Sequence, residues 1–129
     1  MKLENEKSKN TFVYAIRGLK KAIKTEKNLK IDCIMAILVV ISGIVLKINT
    51  AEWIICILLI GIVISAELMN TAIEAVVDMY TREKNTLAER AKDVAAGSVF
   101  VVACMSAIVG LIIFIPKIII FINEIKQFL

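Results

Sequence analysis

An apolar run that ends in carboxylates sets the terms for this chain. Trp53 to Ala66 is almost wholly apolar, and the stretch Glu67 to Asp78 follows it directly. At about 100° per residue, Glu67, Asn70, Thr71, Glu74 and Asp78 fall at roughly 0°, 300°, 40°, 340° and 20° around a helix. They share one stripe. Leu68, Met69, Ile73, Val76 and Val77 occupy the other face, where lipid or neighbouring helices can meet them. Ionisable groups at membrane depth cost roughly 2.5–3.5 kcal/mol each on insertion scales, and they are kept mainly where they face a cavity or a partner. Asn70 and Thr71 would also suit helix pairing, but two Glu and one Asp on a single face repel each other unless cations intervene. The stripe therefore reads as a site.

The fold class is an all-α membrane protein. Of 129 residues 59% are hydrophobic, and the mean hydropathy is +0.81, beyond the apolar share of a typical soluble domain. That length admits one unit, residues 1–129, with three spans and no separate soluble domain. A larger active-site cavity needs more than one copy. Nine of the sixteen Lys and Arg residues precede Ile31, one lies between Lys47 and Glu52, and four lie between Arg82 and Lys92. By the positive-inside rule the N-terminus and the second connection are cytoplasmic, which predicts a multi-pass protein of the cytoplasmic membrane. Anionic headgroups and nucleotide phosphates suit these cations better than DNA, because no soluble module remains to hold a nucleic acid. Cys33, Cys56 and Cys104 sit inside apolar runs without CxxC spacing and read as small apolar fillers. No His is present, so histidine-based acid–base chemistry is excluded. No cleavable signal is evident, and Ile31 to Ile48 is expected to stay as a membrane helix.

Along the chain, Met1 to Asn10 is polar and is expected to fray. Over residues 11–24, Phe12, Ile16, Leu19 and Ile23 recur at helical spacing, with Arg17, Lys20, Lys21 and Lys24 elsewhere. This predicts a basic amphipathic helix on the membrane surface, either a simple anchor or a contributor of Tyr14 and Arg17 to a site. Glu26 stands where the chain turns into the bilayer, as a solvated acid among lysines or as a metal ligand. Spans are predicted over 31–48, 53–79 and 91–115. Asp32 lies near the cytoplasmic end of the first, and Ser42 with Gly43 allows close helix contact. Asn49 to Glu52 forms the outer turn, with Trp53 as interfacial anchor. Tyr80 to Arg90 is the inner loop. Lys92 either snorkels or acts beside Asp93, and Ala95 to Ser98 is a small-residue patch. Pro116 and Lys117 mark the outer boundary, with an apolar-basic tail beyond.

Collected at the cytoplasmic ends are Glu26, Glu67, Glu74, Asp78, Lys92 and Asp93. Such a set calls for a hard divalent cation, and Mg²⁺ usually binds through one or two carboxylates plus substrate phosphates. Lys92 can balance a transferring phosphoryl group. Glu67, the deepest carboxylate, is suited to take a proton from a lipid alcohol arriving from the bilayer. No GxxxxGK[ST] loop and no kinase-type glycine loop is present.

The motifs ELMNTAIE at Glu67–Glu74 and AKDVAAG at Ala91–Gly97 resemble the signature of the small bacterial membrane kinases that include diacylglycerol kinase and undecaprenol kinase. The resemblance extends to Arg17-Gly18-Leu19, Thr25-Glu26-Lys27-Asn28 and Gly110–Lys117, whose character is nearer the undecaprenol kinase branch of Gram-positive bacteria. It implies ATP-dependent phosphorylation of a lipid alcohol, undecaprenol before diacylglycerol, with Mg²⁺ as cofactor. It further implies Glu67 as general base, Glu26 and Glu74 as metal ligands with ATP, and Asn70 in support of the catalytic carboxylate. Lys92, Asp93, Tyr14, Arg17 and the loop Glu83 to Asn85 would lie at the nucleotide, and Asp78 belongs to the same motif. The implied assembly is a homotrimer with sites shared between neighbours. Two departures stand out: Asn85 where relatives often carry His, and Leu29 and Asp32 where the undecaprenol branch often has an aromatic residue and a His.

Intramembrane acids also occur in small proton-coupled transporters, but those usually show repeats and acids near the midplane, and no internal repeat is found here. For a purely structural adaptor the acidic stripe would be an excess cost.

Overall fold

The computed structural model describes the backbone of residues 2–128 and the side chains of residues 10–127. Four helices follow one another: α1 Lys2–Thr25, α2 Lys27–Val45, α3 Thr50–Tyr80 and α4 Thr86–Phe128. The last three are long and apolar enough to cross a membrane. Ile34, Leu38, Ile57, Leu58, Val101 and Ile108 project outward from them. Helices satisfy their own backbone polar groups, so such a surface belongs in lipid.

α3 is the middle element. It packs against α4, α2 and α1, while among the described residues α2 and α4 make no comparable contact with each other. The space between them is a cavity of about 550 Å³, lined by Met35, Val39, Ile60, Val63, Ala107 and Ile113 among others, with Asp32 and Ser106 as its polar residues.

Each helix boundary has a local cause. The first ten residues, expected to fray, join α1 from Lys2 onward. Lys, Glu and Leu there are good helix formers, and their polarity does not prevent a helix. α1 breaks at Glu26, whose backbone is extended at φ −90°, ψ 122°. The apolar residues Phe12, Ile16 and Leu19 stay exposed on the protomer, so the rest of the chain does not cover that face of α1. The first span, expected to reach Ile48, ends as a helix at Val45. Lys47 takes a left-handed φ of 50°, which breaks the ladder and turns the chain.

α3 starts at Thr50 rather than Trp53, because Asn49 and Glu52 form a capping box. Asn49 Oδ1 accepts from the Glu52 N–H at 3.0 Å, and Glu52 Oε2 accepts from the Asn49 N–H at 2.7 Å. Such reciprocal bonds satisfy donors that a bare helix end leaves open. Gly43 makes the crossing possible, since a Cβ there would lie 2.8 Å from the Trp53 indole. Beside it Ile48, Cys56 and Ile113 form a small core with Val39, Val109 and Phe114.

The inner loop is shorter than the sequence suggested, running only over 81–85. Asn85 Oδ1 accepts from the N–H groups of Leu87 at 3.0 Å and Ala88 at 3.2 Å, and so starts α4 early. α4 also continues through Pro116 to Phe128. Proline removes one ladder bond but does not stop a helix whose flanking residues remain helical.

Two ion pairs tie α4 to α3. Lys92 Nζ meets Asp78 Oδ1 at 2.5 Å, and Lys117 Nζ meets Glu52 Oε2 at 3.1 Å. Along α4 they are about 38 Å apart at 1.5 Å per residue. That exceeds the hydrocarbon thickness of about 30 Å and falls just short of the full bilayer of about 40–45 Å.

Candidate active site

The stripe grades from interior to surface. Glu67 is 3% exposed and Asn70 6%, Thr71 and Glu74 are half-buried, and Asp78 is exposed. The cause is the register read above: all five lie on one face, and the face passes out of the packed region as α3 leaves the membrane.

Glu67 is met from α2. The side chain of Asn28 and the carboxylates of Asp32, Glu74 and Glu26 lie close enough to act on its carboxyl. Asn28 and Asp32 are four residues apart and share a face of α2. Leu29, fully buried between them, holds that turn against the other helices. The break at Glu26 brings its carboxylate to the same end, where Oε1 accepts from the Thr25 hydroxyl at 3.0 Å. Residues 26–32 and 67–74 thus converge at one water boundary.

Asn70 donates from Nδ2 to Glu74 Oε1 at 3.0 Å, one helical turn on. Its own Oδ1 is buried without a partner, as is Asp32 Oδ2. Buried acceptors are usually satisfied, and unpaired ones need an explanation. Two on the walls of one acidic cluster leave places for donors that are not part of this chain, such as a hydroxyl or metal-bound water.

The other predicted residues lie further out. Lys92 pairs with Asp78, and Asp93 beside it is exposed. Glu83 donates its N–H to Thr81 Oγ1 at 3.1 Å in the short connection. Asn85 is engaged as the α4 cap. Tyr14 and Arg17 stack on each other on α1, with the guanidinium 5.6 Å from the ring centroid. Asn28 is a site residue that the sequence does not single out; its only local signal is its place two residues after Glu26.

Among the described residues no three Cys, Asp or Glu side chains converge closely enough to cage a metal. Mg²⁺ does not need a cage, since it keeps several waters and takes one or two carboxylates plus phosphate oxygens. Glu26 and Glu74, with the unpaired Asn70 oxygen beside Glu74, have the hard oxygen donors that such a set uses.

The family described as prokaryotic diacylglycerol kinase matches residues 13–114. The chain is 46% identical over 107 residues to the undecaprenol kinase of Bacillus subtilis, covering 83% of this chain and 87% of that protein. It is 35% identical over 100 residues to the diacylglycerol kinase of Haemophilus influenzae, covering 78% of this chain and 85% of that one. Stripe, break and helix order all fall within the matched region, and the chain belongs to the prokaryotic diacylglycerol kinase family of membrane lipid kinases.

Proposed function

We propose that this chain transfers the γ-phosphoryl group of ATP to undecaprenol, giving undecaprenyl phosphate and ADP. The observation that carries the reading is a buried Glu67 at the inner end of an apolar span, beside unpaired acceptors on Asn70 and Asp32. A lipid hydroxyl reaches such a place from the bilayer, and a nucleotide reaches it from water. The similarity to an undecaprenol kinase favours the polyprenyl alcohol.

In this reading Glu67 accepts the hydroxyl proton as the alcohol oxygen attacks the γ-phosphorus, and ADP leaves in line. Glu26 and Glu74 would hold Mg²⁺ together with the ATP phosphates, and the ion would supply charge neutralisation on the transferring group. Asn70 positions Glu74. Lys92 leaves Asp78 to meet the phosphates, and Asp93, Glu83, Asn85, Tyr14 and Arg17 border the nucleotide. The site faces the cytoplasm by the lysine distribution of the N-terminus and inner loop.

The working unit is a homotrimer. Supporting this, α3 carries a groove along Gly61, Ser65 and Ala66, and Ala96, Gly97 and Ser98 of α4 are exposed on the protomer. Small residues let helices of neighbouring copies approach closely. Diacylglycerol is the second candidate acceptor, favoured by the similarity to the Haemophilus influenzae enzyme. Transfer of labelled γ-phosphate from ATP to both alcohols in one bilayer decides between them: a higher kcat/KM for diacylglycerol overturns the undecaprenol assignment, and no transfer to any lipid alcohol overturns the kinase.

A further inference from the structure

Ser106 stands near the middle of the stretch of α4 between Lys92 and Lys117, and its hydroxyl is buried with no hydrogen-bond partner. A serine inside a helix commonly bonds back to a carbonyl of its own preceding turn. Ser98, two turns earlier on the same helix, does so: its Oγ donates to the Ala95 carbonyl at 2.7 Å. Ser106 instead lines the cavity between α2 and α4, with Asp32 as a second polar residue of the wall. Asp32 Oδ2 is unpaired as well, and the two side chains do not satisfy each other. A buried polar atom of this kind calls for a partner from outside the chain.

Depth narrows the identity of that partner. Measured from the Lys117–Glu52 pair at 1.5 Å per residue, Ser106 is about 17 Å away along α4 and Glu67 about 22 Å away along α3. Measured from the contact of Gly43 with Trp53, Asp32 is about 17 Å away along α2 and Glu67 about 21 Å away along α3. Ser106 and Asp32 thus share one level, about a helical turn deeper in the bilayer than Glu67. Cys56, Ile60 and Val63 line the cavity from α3, and Glu67 continues their face one turn on. We propose that Ser106 is a specificity-determining residue for the lipid acceptor, donating its hydroxyl to an ester carbonyl a few bonds from the reacting alcohol. This rests on the reading of Glu67 as the base on that alcohol. The carboxylate of Asp32 accepts and does not donate, which leaves the serine as the donor on this wall. A diacylglycerol carries ester carbonyls at that remove from its free hydroxyl, and a polyprenyl alcohol carries none. A buried donor disfavours a ligand that leaves it unpaired, but Ser106 can turn back to the Val102 carbonyl as Ser98 does to Ala95. The cavity therefore admits both alcohols and rewards the ester.

The test compares γ-phosphate transfer from ATP to a 1,2-diacylglycerol and to its dialkyl ether analogue of matched chains, which lacks the carbonyl oxygens, in one bilayer with the full chain. The parent is expected to use the ester with a kcat/KM roughly two- to tenfold higher, the size of one neutral hydrogen bond. Ser106→Ala is expected to bring that ratio close to one, and Ser106→Thr, which keeps a hydroxyl, to hold it. The ratio is taken within one preparation, so any loss of folded protein cancels. An ester preference that is absent from the parent, retained in Ser106→Ala, or lost in both variants alike overturns the proposal. Undecaprenol in the same bilayer separates this outcome from the fate of the kinase reading. Transfer to undecaprenol with none to either glycerolipid overturns the role of Ser106 alone, and transfer to no lipid overturns both.

Discussion

The Asn70 amide donates to Glu74 one helical turn away, at 3.0 Å, while its own carbonyl oxygen stays buried and unpaired. One side chain thus orients a carboxylate and keeps an acceptor open beside it. A hydrogen bond to a charged group contributes about 1.5–3 kcal/mol, roughly tenfold to hundredfold in an affinity. Asn70→Ala is expected to raise by that factor the Mg²⁺ concentration needed for half-maximal turnover. An unchanged Mg²⁺ dependence would separate Asn70 from the metal.

Lys92 and Asp78 are both more than a third exposed, and pairs of that kind contribute about 0–1 kcal/mol to stability. Lys92→Met therefore changes the thermal midpoint little but raises the KM for ATP substantially, whereas Asp78→Asn leaves Lys92 in place and perturbs ATP binding less. Equal KM values in Lys92→Met and the parent would reduce this pair to a link between helices.

Gly43 lies under Trp53, where a methyl group would come within 2.8 Å of the ring. Overpacking a tight site typically costs about 1–3 kcal/mol. Gly43→Ala is expected to lower unfolding stability by about that much and to shift Trp53 emission. The affected contact is far along α2 from Glu26, so the Mg²⁺ dependence of any remaining activity stays unchanged.

Asn85 accepts two backbone N–H groups at the start of α4. Replacing such a cap by Ala typically costs about 0.5–2 kcal/mol. Asn85→Ala is expected to lose that stability, and Asn85→Asp to recover most of it, as read by thermal unfolding in detergent. Recovery of stability without recovery of ATP binding would show a second role at the nucleotide.

The helical stripe from Glu67 to Asp78 was legible because 3.6-residue periodicity is a local property, and its graded burial follows from a long helix leaving the membrane. The break at Glu26 was placed where basic and apolar composition changes, also a local signal. Less legible were features that need two elements at once. Asn28 becomes a neighbour of Glu67 only when α2 packs on α3, and the partner of Asn70 depends on rotamers that the pattern does not specify. Asn85 was read through a family comparison as a nucleotide contact, when its simplest signature, a residue with a short acceptor side chain just before a helix, also predicted a cap. Pro116 stands at the outer boundary without ending α4, because a proline removes one ladder bond while its flanking residues stay helical.

The most direct test of the account measures γ-phosphate transfer from ATP to undecaprenol by the parent and Glu67→Gln in the same bilayer, alongside the oligomer size of each. Transfer by the parent, loss of most turnover in Glu67→Gln and the same assembly for both are expected. Full turnover in the variant would contradict the role of Glu67 as the base on the lipid hydroxyl.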